Sequence, residues 1–159
     1  MYLLKALSFT TLAVLFSLIF IGGYVSASGV GLTCPDWPLC PQGLVPHEDF
    51  IIEYIHRSVA ATTGMLVIAT MAFTLKSKDA PRGMKIASII AAGTVIGQIT
   101  LGAIVIVERL HAILVTAHLG LGLVLFSMVL MTLLYALKTD NQRIKTTTIS
   151  SKLSASKDN

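Results

Sequence analysis

The chain has 159 residues, 54% of them apolar and only 13% charged, with a mean hydropathy of +0.79. A soluble domain usually carries about 25% charge, so the composition excludes an ordinary soluble domain and points to a membrane protein. The net charge of +4 is modest. Its basic residues flank apolar runs and no aromatic-basic patch occurs, which argues against nucleic-acid binding.

A spanning helix needs about 20 mostly apolar residues. Four segments qualify in chain order: roughly Ala6–Val25, Ile51–Leu75, Ile86–Val107 and Ala112–Leu137. No segment alternates as a barrel strand does, so backbone satisfaction in lipid requires helices. The expected fold is all-α: a transmembrane four-helix bundle forming one membrane domain over residues 1–137. "VSA" (Val25 to Ala27) resembles a signal cleavage site, but the first apolar run exceeds the usual h-region, so it is expected to be kept as a helix.

Orientation follows the basic residues. Lys5, then Lys76, Lys78, Arg82 and Lys85, then Lys138, Arg143, Lys145, Lys152 and Lys157 fall on one side. Only Arg57 and Arg109 fall on the other, at helix edges. Both termini are therefore expected in the cytoplasm, and the loop over residues 26–50 outside the cell membrane. The tail over residues 138–159, rich in Ser, Thr and Lys, is expected to be a basic, disordered cytoplasmic segment.

That outer loop reads "SASGVGLTCPDWPLCPQGLVPHEDF" and carries four of the five prolines, the single Trp and both cysteines. A loop of this length is usually functional. Cys34 and Cys40 fit three roles: a staple, a redox-active pair or part of a metal site. Their spacing does not choose, because the C-x-x-C signature is absent. His47, in the same loop, reads as a solvated side chain.

Ionisable groups inside a span are costly and default to functional hypotheses. His56 lies about five residues into the second helix and His118 about seven into the fourth. Both helices run outside to inside, so the imidazoles sit at matched depth, roughly 8–10 Å below the outer ends. Two such histidines suit the bis-imidazole ligation of a haem; the competing reading is a pair of satisfied intramembrane hydrogen-bonders. Ala60 and Gly64 follow His56 on nearly the same face, and Gly122 follows His118. Such small residues equally serve helix packing, as does "GTVIG" (Gly93 to Gly97). His111, seven residues before His118, reads as an interfacial or accessory group.

"EYIH" (Glu53 to His56) and "ERLH" (Glu108 to His111) are both E-x-x-H, half of a di-iron carboxylate site. The first and third spans contain no Asp or Glu, so the other half is missing. Glu53 shares a helix face with His56. It reads either as a proton-handling carboxylate at the mouth of the bundle or as an ion-pair partner of Arg57 or Arg109. Arg57 itself suits a haem propionate or a lipid phosphate.

Three stretches, "CPDWPLC", "IIEYIHRSVAATTG" and "TLGAIVIVERLHAILVTAHLGLGLVLF", together resemble the haem A synthase family of cytochrome oxidase assembly factors. The resemblance covers roughly residues 6–137. It implies an oxidoreductase that converts haem O to haem A by oxidising the C8 methyl of the porphyrin to a formyl group, through hydroxylated intermediates. Glu53 matches the family's essential acid, His56 and His118 the axial pair of its first half, and Cys34 and Cys40 its outer-loop cystine. The implied cofactor or substrate is haem B and/or haem O, with haem O synthase and an electron acceptor as partners beside the lipid bilayer. Family members usually have eight helices in two similar halves. This chain shows four, which implies a homodimer or higher oligomer. The alternative is a bis-histidine b-type membrane cytochrome or haem carrier that leaves the ring unoxidised.

Overall fold

The computed structural model describes residues 2–33 and 51–157. It contains four long helices, α1 (Tyr2–Ser28), α2 (Ile51–Lys76), α3 (Arg82–Val107) and α4 (Ala112–Lys157), and no strand among the described residues. A single 3-10 turn, Val30–Leu32, follows α1. Each helix contains a stretch long and apolar enough to cross a membrane; in α4 it is Ala112–Gln142. Cys34, Cys40 and His47 lie outside the described residues.

The helix ends have local causes. Gly29 takes the left-handed conformation (φ 75°) that ends α1. Pro81 opens α3, which starts four residues earlier than its apolar stretch suggests because Arg82 and Lys85 extend it outside the apolar window. The turn from α3 to α4 is a Schellman motif. Leu110 N–H donates to Val105 O at 2.8 Å and Arg109 N–H to Ile106 O at 3.1 Å, closing the carbonyls of the last turn. Arg109 (φ 49°) and Leu110 (φ 61°) are both left-handed, a conformation costing L-residues about 1–2 kcal/mol each.

α4 continues as helix to Lys157, through the segment expected to be a disordered tail. The physical reason is the lack of a stop signal: no Gly or Pro occurs after Gly122. Thr139 Oγ1 bonds back to Tyr135 O at 2.9 Å, and Asp140 pairs with Lys5 of α1, holding the first turn past Leu137.

α1 packs on α2 and α4, and α3 packs on the same two, so the helices stand around the bundle in chain order. α2 and α4 therefore face each other across a diagonal. Contacts between neighbours show that they alternate in direction. Thr11 shares a 3.0 Å hydrogen bond with Thr70, while Gly22, a turn or more further along α1, lies against His56, earlier in α2.

The half of the bundle nearer the termini is packed solid. Leu4, Ala80, Met84 and Ala136 form one cluster, with Met84 and Ala136 fully buried. Leu15, Val67, Ala91, Ala92, Val95, Leu125 and Val129 form a second. Small and hydroxylated residues fill the helix contacts. Thr11, Thr63, Thr70 and Thr132 are buried; the hydroxyls of Thr63 and Thr132 donate to a carbonyl four residues back at 2.8–2.9 Å, and of the paired Thr11 and Thr70 one donates to its own helix carbonyl while the other donates across to it. This lets the backbones approach closely where lipid supplies no hydrophobic driving force between helices. The large apolar side chains Phe9, Phe16, Phe20, Ile113 and Leu123 face outward, as a bilayer requires.

Candidate haem site

Beyond Leu15 the helices part around a cavity of about 460 Å³, within the size range of cofactor and ligand pockets. All four helices line it. α2 contributes Glu53, His56, Arg57 and Ala60, and α4 contributes His118 and Gly122. The diagonal placement of α2 and α4 brings the two histidines to the same space from opposite sides, while α1 and α3 supply the flanking walls.

Each imidazole lies against a glycine of a flanking helix. A methyl group at Gly22 on α1 would stand 3.0 Å from His56 Cε1, and one at Gly102 on α3 would stand 3.3 Å from His118 Cε1. Real Cβ contacts are seldom that short, so neither position admits a side chain without moving the ring. Of the small residues expected on the same helix faces as the histidines, Ala60 and Gly122 line the cavity and Gly64 does not. Gly64 faces Ile99, Gly122 faces the Gln98 amide, and Gly120 has open space beside it. Gly93 of the α3 glycine pair is likewise open, and Gly97 touches Leu121.

His56 Nδ1 and His118 Nδ1 are buried and have no hydrogen-bond partner among the described residues. A satisfied intramembrane hydrogen-bonder would have a partner at such an atom, and neither Nδ1 shows one. Two imidazoles on opposite helices, opening on one cavity and each seated on a glycine, fit the donor set of a bis-histidine haem.

At the same cavity wall, Arg57 Nη2 donates to Glu53 Oε1 at 2.6 Å, one helical turn away. Thr33 Oγ1, just before the cysteine loop, donates to Glu53 Oε2 at 3.3 Å. The carboxylate is only 2% exposed, and the Arg57 side chain 15%. Of the two ion-pair partners foreseen for Glu53, the structure brings Arg57 to it. Glu108 instead caps α3. His111 is exposed in the α3–α4 turn and does not line the cavity. Leu110 does, and closes the far end. A methyl at Gly31 would meet Val25 Cγ1 at 3.2 Å and Leu110 Cδ1 at 3.3 Å, so these three residues seal the cavity under the 3-10 turn.

Sequence reasoning missed Gly22, Gly102 and Gln98. The signal for Gln98 was present, as a lone amide in an otherwise apolar span. For the two glycines no local signal existed, because their role depends on which helix stands next to which.

Residues 47–156 match the family model COX15-CtaA, "Cytochrome oxidase assembly protein". The chain is 35% identical over 137 residues to the Heme A synthase of Bacillus licheniformis, and 31% identical over 154 residues to that of Shewanella oneidensis. In each case 84% of this chain aligns with 45% of the relative, so the chain spans about half the length of these curated relatives. A Protoheme IX farnesyltransferase of Haloarcula marismortui is 34% identical over 124 residues, 77% of this chain and 26% of that protein. With the family match extending over more than half of its residues and helices that cross the bilayer several times, this multi-pass membrane protein belongs to the COX15-CtaA family of cytochrome oxidase assembly proteins.

Proposed function

We propose that this four-helix bundle is the catalytic half of a haem A synthase, which oxidises the C8 methyl of haem O to a formyl group. The observation that carries the reading is the facing pair His56 and His118, each backed by a glycine, with the Glu53–Arg57 pair on the wall of the same cavity. The similarity to proteins named Heme A synthase supports it.

In this reading the two imidazoles hold the substrate iron from opposite faces. Arg57 binds a propionate; a guanidinium carries five N–H donors and can serve a propionate as well as Glu53. The methyl to be oxidised shares a pyrrole ring with a propionate, which places it toward Arg57 and hence toward Glu53. Passing from methyl to formyl removes four electrons and four protons: each of two two-electron steps replaces a C–H bond by a C–O bond to a water oxygen, and the resulting gem-diol loses one water, so that one water oxygen stays in the formyl group. The electrons leave to an external acceptor, and Glu53 takes protons released at the methyl carbon.

The relatives are about twice as long as this chain. A second bundle, in the simplest case another copy in a homodimer, completes the enzyme and holds the haem B cofactor. Haem O synthase is the proposed supplier of substrate; a segment similar to this chain within a protein named Protoheme IX farnesyltransferase supports that pairing. Cys34 and Cys40 are proposed to form a cystine in an extracellular loop of the cell membrane. Labelling of free thiols in protein purified without reductant would refute the bridge.

The decisive experiment has two parts. Pigment extracted from the purified protein is expected to contain haem O or haem A. In cells making haem O, Glu53→Ala should abolish haem A while leaving the haem-binding spectrum. Haem A at the wild-type level in that variant would end the catalytic role of Glu53. One observation favours the second reading, a b-type cytochrome or haem carrier: the 2.6 Å bond to Arg57 gives Glu53 a structural task of its own. A wild-type protein that binds haem B and makes no haem A would decide for that reading.

A further inference from the structure

Among the polar groups of the cavity lining, the haem reading leaves the Gln98 amide without a task. Gln98 sits on α3 four residues before Gly102, about 6 Å further toward the end carrying the termini, and it lines the same cavity. Its Oε1 is buried with no hydrogen-bond partner among the described residues. The amide lies directly over Gly122 of α4, where a methyl would stand 2.8 Å from Gln98 Nε2. Around it the lining is apolar, with Leu15, Val95 and Leu125 closing the inner end.

An amide costs more than a leucine in such a place. It would be tolerated if a ligand brought the missing partner, since a buried acceptor left unpaired carries the full desolvation penalty. Which of the two amide atoms faces the cavity is immaterial, because together they offer both a donor and an acceptor. The distance along α3 from Gly102, which touches the ligating ring of His118, to Gln98 is on the scale from a haem iron to the porphyrin edge. The Glu53–Arg57 pair serves the ionic side of a porphyrin on α2. Gln98 stands on α3, where the lining is otherwise hydrocarbon.

We propose that Gln98 is a specificity-determining residue that hydrogen-bonds a hydroxyl group carried on the rim of the porphyrin. The cavity thereby distinguishes a hydroxyalkylated haem from plain protohaem. Haem O differs from protohaem by a hydroxyethylfarnesyl chain, whose hydroxyl sits on the carbon attached to the ring. The farnesyl part is hydrocarbon and gives a protein no directional handle, so the hydroxyl is the group an amide can read. This inference rests on the assignment of His56 and His118 as haem ligands and deepens it.

The test is a spectroscopic titration of the full chain, freed of haem in detergent, with haem O and separately with protohaem. Wild type is expected to bind both in low-spin form and to prefer haem O. Gln98→Met, close in volume but without the amide, should weaken haem O about tenfold and leave protohaem unchanged. Gly122→Ala, which displaces the amide, should shift the ratio in the same direction, and it keeps the question open to measurement if Gln98→Met fails to fold. An unchanged haem O to protohaem ratio in these variants, or an equal loss for both haems, would overturn the role of Gln98 while leaving the histidine assignment intact. If wild type binds neither haem in low-spin form, the ligand assignment itself fails and Gln98 loses its substrate.

Discussion

Toward the termini the four helices of this bundle touch; toward His56 and His118 the same helices stand apart. In the first region Met84 and Ala136 are fully buried and the Thr132 hydroxyl is folded back onto its own helix, while Ser8 Oγ and Thr74 Oγ1 are buried without a partner among the described residues. In the second, the buried polar groups include a carboxylate, two imidazole nitrogens and an amide oxygen. The difference teaches where stability and function are kept. The packed half carries the dispersion contacts that hold helices together in lipid. The open half relinquishes such contacts around a cavity that these polar groups line. Neither half is a separate unit, since every helix runs through both.

That comparison can be broken most directly at the histidines. His56→Ala and His118→Ala should each abolish a low-spin bis-histidine spectrum, with little change in unfolding by detergent denaturant. Survival of the spectrum in either variant would remove that residue from the iron. Next in size is the packed half. Met84→Ala should cost roughly 2 kcal/mol, at the low end of core truncations because lipid rather than water solvates the separated helices. Its haem spectrum should stay intact, and a lost spectrum at full stability would mean the halves are not divided as described.

A smaller effect is expected at the boundary between ring and wall. Gly22→Ala forces the His56 ring away from a contact of 3.0 Å. The low-spin electron paramagnetic resonance signal should shift as the imidazole plane turns, with less than about 1 kcal/mol lost in stability. An unaltered signal would show that the ring does not lean on α1 when iron is bound. The smallest effect lies in the turn. Arg109→Gly should stabilise the protein by about 0.5–1 kcal/mol, because glycine takes φ 49° without a Cβ penalty and Arg109 is exposed. A destabilised variant would mean that the Arg109 side chain makes a contribution beyond its backbone.

The sequence carried the four spans and the histidine pair, because apolar run length and burial cost are local properties. Ile51 and Ala112 begin helices where the apolar runs begin. Val107 likewise ends α3 where its apolar run ends, and the remaining boundaries moved outward, since a helix continues past its apolar stretch until a residue stops it. Arg82 and Lys138 do not. The acid, imidazole and guanidinium of "EYIHR" were legible as a group, yet the choice of Arg57 over Arg109 for Glu53 needed the rotamers of α2 and the path of the α3–α4 turn. The glycines that seat the rings were hidden among twelve, and only the order of helices around the bundle singles out Gly22 and Gly102.

The four-residue turn between α3 and α4 also acts as a phase setting. Its Schellman bonds lock the end of one helix to the start of the next, so the rotation of α4 about its own axis is counted from Val105. One inserted residue there would break the spacing of these bonds and reset the rotation at which α4 leaves the turn. His118 would leave the cavity for lipid or for α1, and every side chain on α4 would still lie in a good helix. Spectral loss without helix loss is the signature of such a miscount. It makes the length of residues 108–111, rather than their identity, the quantity on which the facing of the two histidines depends.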